Sequence, residues 1–196
     1  MTYHLLLGDF LGCKKTYIIF PLLFFCLFSC ASTGTRADLP YTWLTNSKKF
    51  TLLPPHDIEA PFDSQQIISA SYGGRDYQFT AWVKADETGL EMTLVNDLGA
   101  SMGELSYRDG TLSFSSTVFP ASLKPEYIVA DFQLCFYNAG KLRLTLEKQG
   151  LSLEDTGSAR RVLNGNTAII EIEKKPNSVK FVNNLRGYAY TIEGSI

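Results

Sequence analysis

A strict alternation of apolar and polar side chains dominates the middle of the chain. Between residues 77 and 85, one face carries apolar side chains at Tyr77, Phe79, Ala81 and Val83. A period of two residues is that of a half-buried β-strand, whose side chains point in turn to the two faces of a sheet. The pattern therefore predicts a sheet with one apolar face.

Three further strands are predicted directly after this one. Apolar residues continue the pattern over 90–94, Glu104–Arg108 forms a third strand, and Thr111–Phe119 forms a fourth. The Asp109-Gly110 pair between the last two strands is a strong hairpin signal. Four consecutive strands joined by short turns form an antiparallel meander.

The alternation stops at Pro120, and a helical spacing replaces it. The apolar residues Ile128, Phe132, Cys135 and Phe136 share one helical face. Ser122 is the predicted N-cap, and Asn138 and Gly140 are predicted to end the helix. Residues 141–149 fit either a strand or a short helix, and we favour the helix.

Strands return in the last third, at residues 167–173, 179–181 and 188–193. Strands that precede and follow a helical segment, without an internal repeat, predict an α+β domain. We expect one curved antiparallel sheet whose concave apolar face is covered by a helix.

The N-terminal segment predicts export. Lys14 and Lys15 precede an apolar run that is shorter than the roughly 20 residues of a membrane span. The run ends in residues 27–30, Leu-Phe-Ser-Cys, which resemble the bacterial lipobox, in which the cysteine thiol receives diacylglycerol. This resemblance implies a signal peptide over 1–29 and a lipid on Cys30. A plain secretory signal and an uncleaved anchor are the alternatives.

Residues 30–40 are predicted to be the lipidated cysteine and a flexible tether, followed by a single domain over 41–196. Two or three acyl chains hold a protein stably at a membrane. The residue after Cys30 is Ala31 rather than aspartate, and resemblance to enteric lipoproteins then implies sorting to the outer membrane. The domain is expected to face the periplasm.

The order of elements also resembles a protein family. A lipobox, a meander, a helical insertion and a last strand with Gly187, Tyr188 and Tyr190 are similar to small proteobacterial lipoproteins of unknown function. Relatives of that family are associated with aryl-polyene gene clusters, and the family is thought similar to the lipoprotein carriers LolA and LolB. The resemblance implies an open β-barrel with a helical lid over a hydrophobic cavity, which in the carriers shelters acyl chains.

The sequence offers little for catalysis, metal binding or nucleic-acid binding. The net charge of −2 excludes a strongly basic surface, and no nucleophile elbow, zinc motif or phosphate loop is present. His56 follows two prolines in a predicted solvated loop, and Glu171 and Glu173 lie on the polar face of a strand. Past Cys30 the chain has one cysteine, Cys135. We therefore expect no enzyme activity, cofactor or metal.

Inward-facing apolar residues are the remaining lead. The candidate cavity residues are Tyr77, Phe79, Met92, Tyr107, Phe114, Phe132, Ile170, Phe181, Tyr188 and Tyr190. An ordinary packed core is the alternative for each. The adjacent Arg160 and Arg161 fit either a surface salt bridge or a contact with a lipid phosphate at the cavity.

Two functions follow from this pattern. The first is an outer-membrane-anchored lipoprotein that binds or transfers a lipid or another hydrophobic molecule. The second is a structural or assembly lipoprotein that scaffolds an envelope complex, without ligand transport, through the outer face of its sheet. Trp82 lies on the polar face of its strand and favours the second, because exposed tryptophans often anchor interfaces.

Overall fold

The computed structural model describes residues 39–96, 98–117, 119 and 123–194, and the fold is that of these residues. The predicted signal peptide, Cys30 and most of the predicted tether lie outside them. Neither helix in the described ranges is long and apolar enough to span a membrane.

Within these ranges the chain forms twelve strands and two α-helices. The first half contains β1 (Tyr41–Trp43), β2 (Lys49–Thr51), β3 (Phe62–Tyr72), β4 (Arg75–Asp86), β5 (Gly89–Val95), β6 (Ser101–Arg108) and β7 (Thr111–Ser116). The helices are α1 (Pro125–Phe136) and α2 (Ala139–Glu147). The last strands are β8 (Ser152–Asp155), β9 (Ala159–Asn164), β10 (Thr167–Lys175), β11 (Ser178–Asn183) and β12 (Tyr188–Gly194).

Ten of these strands form one open, curved antiparallel sheet, in the order β7-β6-β5-β4-β3-β12-β11-β10-β9-β8. The sheet consists of two meanders, β3–β7 and β8–β12. The pairing of β3 with β12 joins them, with Ile68 opposite Ile192. Strands β1 and β2 form a separate hairpin. The fold class predicted from the sequence, α+β with an antiparallel sheet, is confirmed.

Several local predictions are confirmed as well. Asp109 and Gly110 have φ angles of 50° and 76°, which are the left-handed conformations that a type I′ hairpin turn requires. Helix α2 confirms the preference for a helix over residues 141–149. Asn138 does mark the end of α1, but it acts as the N-cap of α2, where its Oδ1 accepts from the N–H of Gly140 at 2.9 Å.

Other predictions were incomplete. The pattern did not predict β3, β8 or β9 as strands, and β7 ends at Ser116 rather than at residue 119. Lys124, not Ser122, occupies the N-cap position of α1, without a side-chain cap. Ser122 itself lies outside the described residues. Strand β3 escaped prediction because serine and glutamine occupy five of its eleven positions, on both faces, and interrupt the alternation.

The concave face of the sheet is packed at one end and open at the other. Along β4, Ala81, Val83 and Ala85 are buried against the core, whereas Tyr77, on the same face, is 41% exposed. The antiparallel register places the β3–β4 and β11–β12 turns at the exposed end. The apolar face is therefore filled only over part of its length.

A buried guanidinium joins α1 to the sheet. Arg160 of β9 is only 2% exposed, and its Nη1 donates to three carbonyls at the C-terminal end of α1, those of Leu134, Cys135 and Tyr137, at 3.1, 3.1 and 2.8 Å. The Asp155 carboxylate accepts from its Nε, and Glu59 accepts from its Nη2 at 2.9 Å. Arg160 thus satisfies carbonyls that lack a partner within the helix.

Arg160 is therefore not a surface residue, and neither alternative considered from the sequence describes it. The surface salt bridge exists next to it, since Arg161 and Glu154 are both exposed and lie 3.1 Å apart. The difference follows from strand parity, because Arg160 points to the concave face with Val162, and Arg161 points away from it.

We predict that Arg160→Leu lowers the free energy of unfolding by about 3–5 kcal/mol, because it removes the cation that is ion-paired with the nearly buried Asp155 carboxylate. Urea denaturation of the chain from residue 31 onward, which contains every described element, measures this. Arg161→Leu is the matched control and should change stability by less than about 1 kcal/mol. Equal effects of the two substitutions would contradict the assignment.

Candidate functional site

A cavity of about 820 Å³ lies between the open end of the concave face and α1. Strands β3 to β7 and β12 contribute one wall, which includes Ile68, Leu94 and Leu105. Residues 127–132 of α1 contribute the other, with Ile128 and Phe132. This volume falls within the range of about 300–1,000 Å³ that is typical of small-molecule sites.

Small residues and stacked rings maintain the space. Ala70 of β3 and Gly103 of β6 lie on the wall, where larger side chains would fill it. Tyr190 stacks on the buried Phe181 at a centroid distance of 4.8 Å, and Phe79 packs edge-on against Phe119 at 5.6 Å. These contacts fix the ring orientations, so the cavity exists before any ligand enters.

Six of the ten candidate residues predicted from the sequence line this cavity. They are Phe79, Met92, Phe114, Phe132, Tyr188 and Tyr190. The other four lie elsewhere: Tyr107, Ile170 and Phe181 are fully packed in the core, and Tyr77 is solvent-exposed beside another hollow of about 440 Å³. Phe181 and Ile170 lie level with Tyr190 and Tyr188, but on β11 and β10, which do not contribute to the wall. The position of a strand in the sheet thus matters as well as the distance along it.

A buried carboxyl group interrupts the apolar wall. Asp131 of α1 is 8% exposed, and its Oδ2 accepts a hydrogen bond from the Tyr188 hydroxyl at 2.7 Å. Asn183 Nδ2 donates to the same hydroxyl at 3.2 Å. Burial raises the pKa of Asp131 to about 7, although the Tyr188 hydrogen bond and the nearby Arg186 charge work in the opposite direction.

Arg186 lies beside this group, in the turn between β11 and β12. Its Nη2 donates to the Trp43 carbonyl at 2.7 Å and to the Tyr127 hydroxyl at 3.0 Å, and its Cζ is 4.6 Å from the centre of the Tyr127 ring. Arg186 and the neighbouring Leu185 are exposed and line the cavity. We call the edge formed by Leu123, Tyr127, Leu185 and Arg186 the mouth of the cavity.

Neither Asp131 nor Arg186 was predicted from the sequence. A signal for Asp131 was available, because it lies between Ile128 and Cys135 on the predicted apolar face of the helix. Arg186 gave no such signal. Its position depends on β1 and α1, from which it is distant in sequence.

The remaining candidates for chemistry are far from a reactive arrangement. His56 is largely exposed, and its Nε2 lies 4.0 Å from Asp57 Oδ1. Burial raises the pKa of the Cys135 thiol to about 12, so it remains protonated at neutral pH. Among the described residues, no group of three potential metal ligands comes together. The polar groups at the mouth and the apolar wall thus suit binding.

Comparison with known families adds one finding. Residues 63–195, more than half of the chain, match DUF3261, a family described as a protein of unknown function. The chain belongs to the DUF3261 family. No curated protein matches it. The matched region contains both helices and nearly all of the ten-stranded sheet, whereas the β1–β2 hairpin, which supplies the Trp43 carbonyl to Arg186, precedes it.

We predict that Asp131→Asn stabilises the protein more at high pH than at low pH. A carboxyl group whose pKa rises from 3.8 to about 7 on folding makes the free energy of unfolding fall as pH increases from about 4 to about 7. The substitution removes this loss, by as much as about 4 kcal/mol at pH 8. Thermal unfolding at pH 5 and pH 8 measures the change in stability, with a substitution of an exposed residue, Asp76→Asn, as control. Equal gains in stability at both pH values would contradict the prediction.

Proposed function

We propose that this protein is an outer-membrane-anchored lipoprotein that binds, and hands on, a lipid or another hydrophobic molecule in the cavity beneath α1. The observation that carries the proposal is the size and lining of that cavity, about 820 Å³ with mainly apolar walls that open at a solvent-exposed mouth. An apolar space of this kind on a folded surface is the usual form of a hydrophobic ligand site.

The energetics favour an acyl chain or a molecule of similar shape. Each methylene group removed from water contributes about 0.8 kcal/mol. A tail with about eight buried methylenes would therefore gain about 6 kcal/mol before the entropy of binding is subtracted. Met92 and Leu94 are flexible enough to accommodate tails of varied shape.

The proposed anchor complements the cavity. A lipid on Cys30, after cleavage of residues 1–29, would hold the domain by a tether over residues 31–40. Ten extended residues reach about 35 Å, which allows the mouth to approach a membrane surface. The resemblance to LolA and LolB implies an open β-barrel with a helical lid over a hydrophobic cavity, and we retain it as part of the proposal; the open antiparallel sheet with α1 beside the cavity supports it.

We propose binding rather than catalysis. Asp131 on the cavity wall and Arg186 at the mouth have no reactive nucleophile beside them in the described part of the chain, since Cys135 is buried and protonated. The hydrogen bonds of Arg186 position its guanidinium at the mouth, where it would contact the polar end of a ligand.

Filling the cavity tests the proposal. Ala70→Trp places an indole ring in the cavity and should lower the affinity for a fluorescent fatty acid at least about tenfold, which corresponds to about 1.4 kcal/mol. Ser69→Trp, on the opposite face of β3, is the matched control and should bind as the unsubstituted chain does. Binding is measured by titration of the chain from residue 31 onward. Equal affinity of the two variants would argue against this cavity as the site.

Replacing Cys30 tests the anchor. Cys30→Ala should release the protein from the membrane fraction and abolish its labelling by radioactive palmitate, because the acceptor thiol is gone. Cys26→Ala, within the apolar run, should change neither result. A Cys30→Ala protein that stays in the membrane fraction would show that the apolar run is an uncleaved anchor.

A second function has one observation in its favour. Trp82 is 52% exposed on the convex face of β4, and Ile67 of β3 is exposed close to it. Exposed tryptophan with an apolar neighbour is typical of protein interfaces. We therefore keep a scaffolding lipoprotein as the alternative. If the unsubstituted chain binds no fatty acid, that result favours this alternative.

A further inference from the structure

Arg186 places a positive charge at the mouth of the cavity and forms no ion pair with any described residue. Both of its Nη2 hydrogen bonds go to neutral oxygens, the Trp43 carbonyl and the Tyr127 hydroxyl. Among the described residues, no carboxylate lies within 4.0 Å of its guanidinium, and its Nε and Nη1 groups make no hydrogen bond. A guanidinium has five N–H donors, so three remain for a ligand.

The side chain is held in place rather than free to turn away. The Tyr127 ring lies against the guanidinium, and the Asn183 side chain accepts from the backbone N–H of Arg186 at 2.9 Å. The guanidinium thus contacts β1 and α1, and the backbone hydrogen bond to β11 fixes the turn that carries Arg186. Arg186 therefore presents its charge at one position, on the rim of an apolar cavity.

We infer that the ligand of this cavity is an amphiphile with an anionic head group, a carboxylate or a phosphate, which Arg186 binds at the mouth while the apolar tail enters the cavity. The inference rests on the proposed function and narrows its substrate class. Guanidinium groups are well suited to carboxylate and phosphate oxygens, and such charge-assisted hydrogen bonds are about twice as strong as neutral ones.

Asp131 favours the same orientation. Its carboxyl group lies on the cavity wall next to Tyr188, and a second anion at that depth would meet it at close range. Beyond Asp131 the wall continues with apolar side chains such as Phe132, Met92 and Ile192. An anionic head is thus attracted to the rim and disfavoured inside, whereas a tail is favoured inside.

Ligands that differ only in the head group test the inference. The chain from residue 31 onward is titrated with dodecanoate, dodecyl phosphate and dodecanol, each as a competitor of a fluorescent apolar probe. We expect at least one of the two anions to bind at least about tenfold more tightly than the alcohol. The anion that binds more tightly identifies the head group. If inorganic phosphate alone competes with the probe, the site binds phosphate without a tail, and the inference is overturned.

Substitution of the arginine connects the preference to this residue. Arg186→Gln should reduce the ratio of anion to alcohol affinity to near one and leave the alcohol affinity within about threefold, and Arg186→Lys should retain part of the preference. Arg75→Gln removes an exposed cation at the same end of the sheet and should leave the ratio unchanged. Unchanged alcohol affinity also shows that the variant has kept its fold.

The outcomes separate the inference from the proposed function. If the unsubstituted chain binds dodecanol and both anions equally, or if Arg186→Gln keeps the preference, the anionic head-group site is wrong although a hydrophobic cavity is present. If the chain binds none of the three compounds and not the probe, the proposed function itself fails.

Discussion

The packing of α1 on the sheet depends on the Arg160 guanidinium. It joins the C-terminal carbonyls of the helix to β9, and two carboxylates neutralise it, the nearly buried Asp155 and the exposed Glu59. The helix is thus fastened at its C-terminal end, where Leu134 is fully buried. Its N-terminal end has no side-chain cap, and Tyr127 near that end lies at the mouth. The cavity therefore lies beside residues 127–132 of the helix, away from the end that Arg160 holds.

This arrangement explains why one apolar face serves as both a core and a cavity. At the closed end, Val83, Leu90 and Tyr107 fill the space against α1 and the segment after β2. Towards the open end the wall residues include Ala70 and Gly103, which are too small to reach the helix. Burial at the packed end therefore provides the stability of the fold. The open end is unfilled, so the protein lacks the additional stabilisation that buried larger side chains would provide there.

The sequence predicted well on which face of the sheet each side chain lies. It did not predict whether a side chain on the apolar face reaches the cavity or the packed core. Alternation is a local property, so β4 and the Asp109-Gly110 hairpin were predicted, and all strands predicted from alternation exist. The same alternation places Phe79, at the cavity, and Tyr107, in the core, on one face without distinguishing them. The bonds that do distinguish the two ends join distant residues, such as Arg160 to Glu59 and Tyr188 to Asp131. Periodicity contains no information on such pairs.

The Asp131 carboxyl group conflicts with its surroundings in a way that packing does not explain. An apolar side chain at this position would continue the helix face formed by Ile128 and Cys135, and burial penalises the carboxylate strongly enough to move its pKa close to neutrality. Natural chains depart from local rules of this kind mostly at functional sites. Here the exception lies on the wall of the cavity, near the Arg186 guanidinium, and neither group forms an ion pair within 4.0 Å with a described residue. A cation at the mouth and a buried acidic group on the wall fit the recognition of a polar head better than they fit the closing of a core.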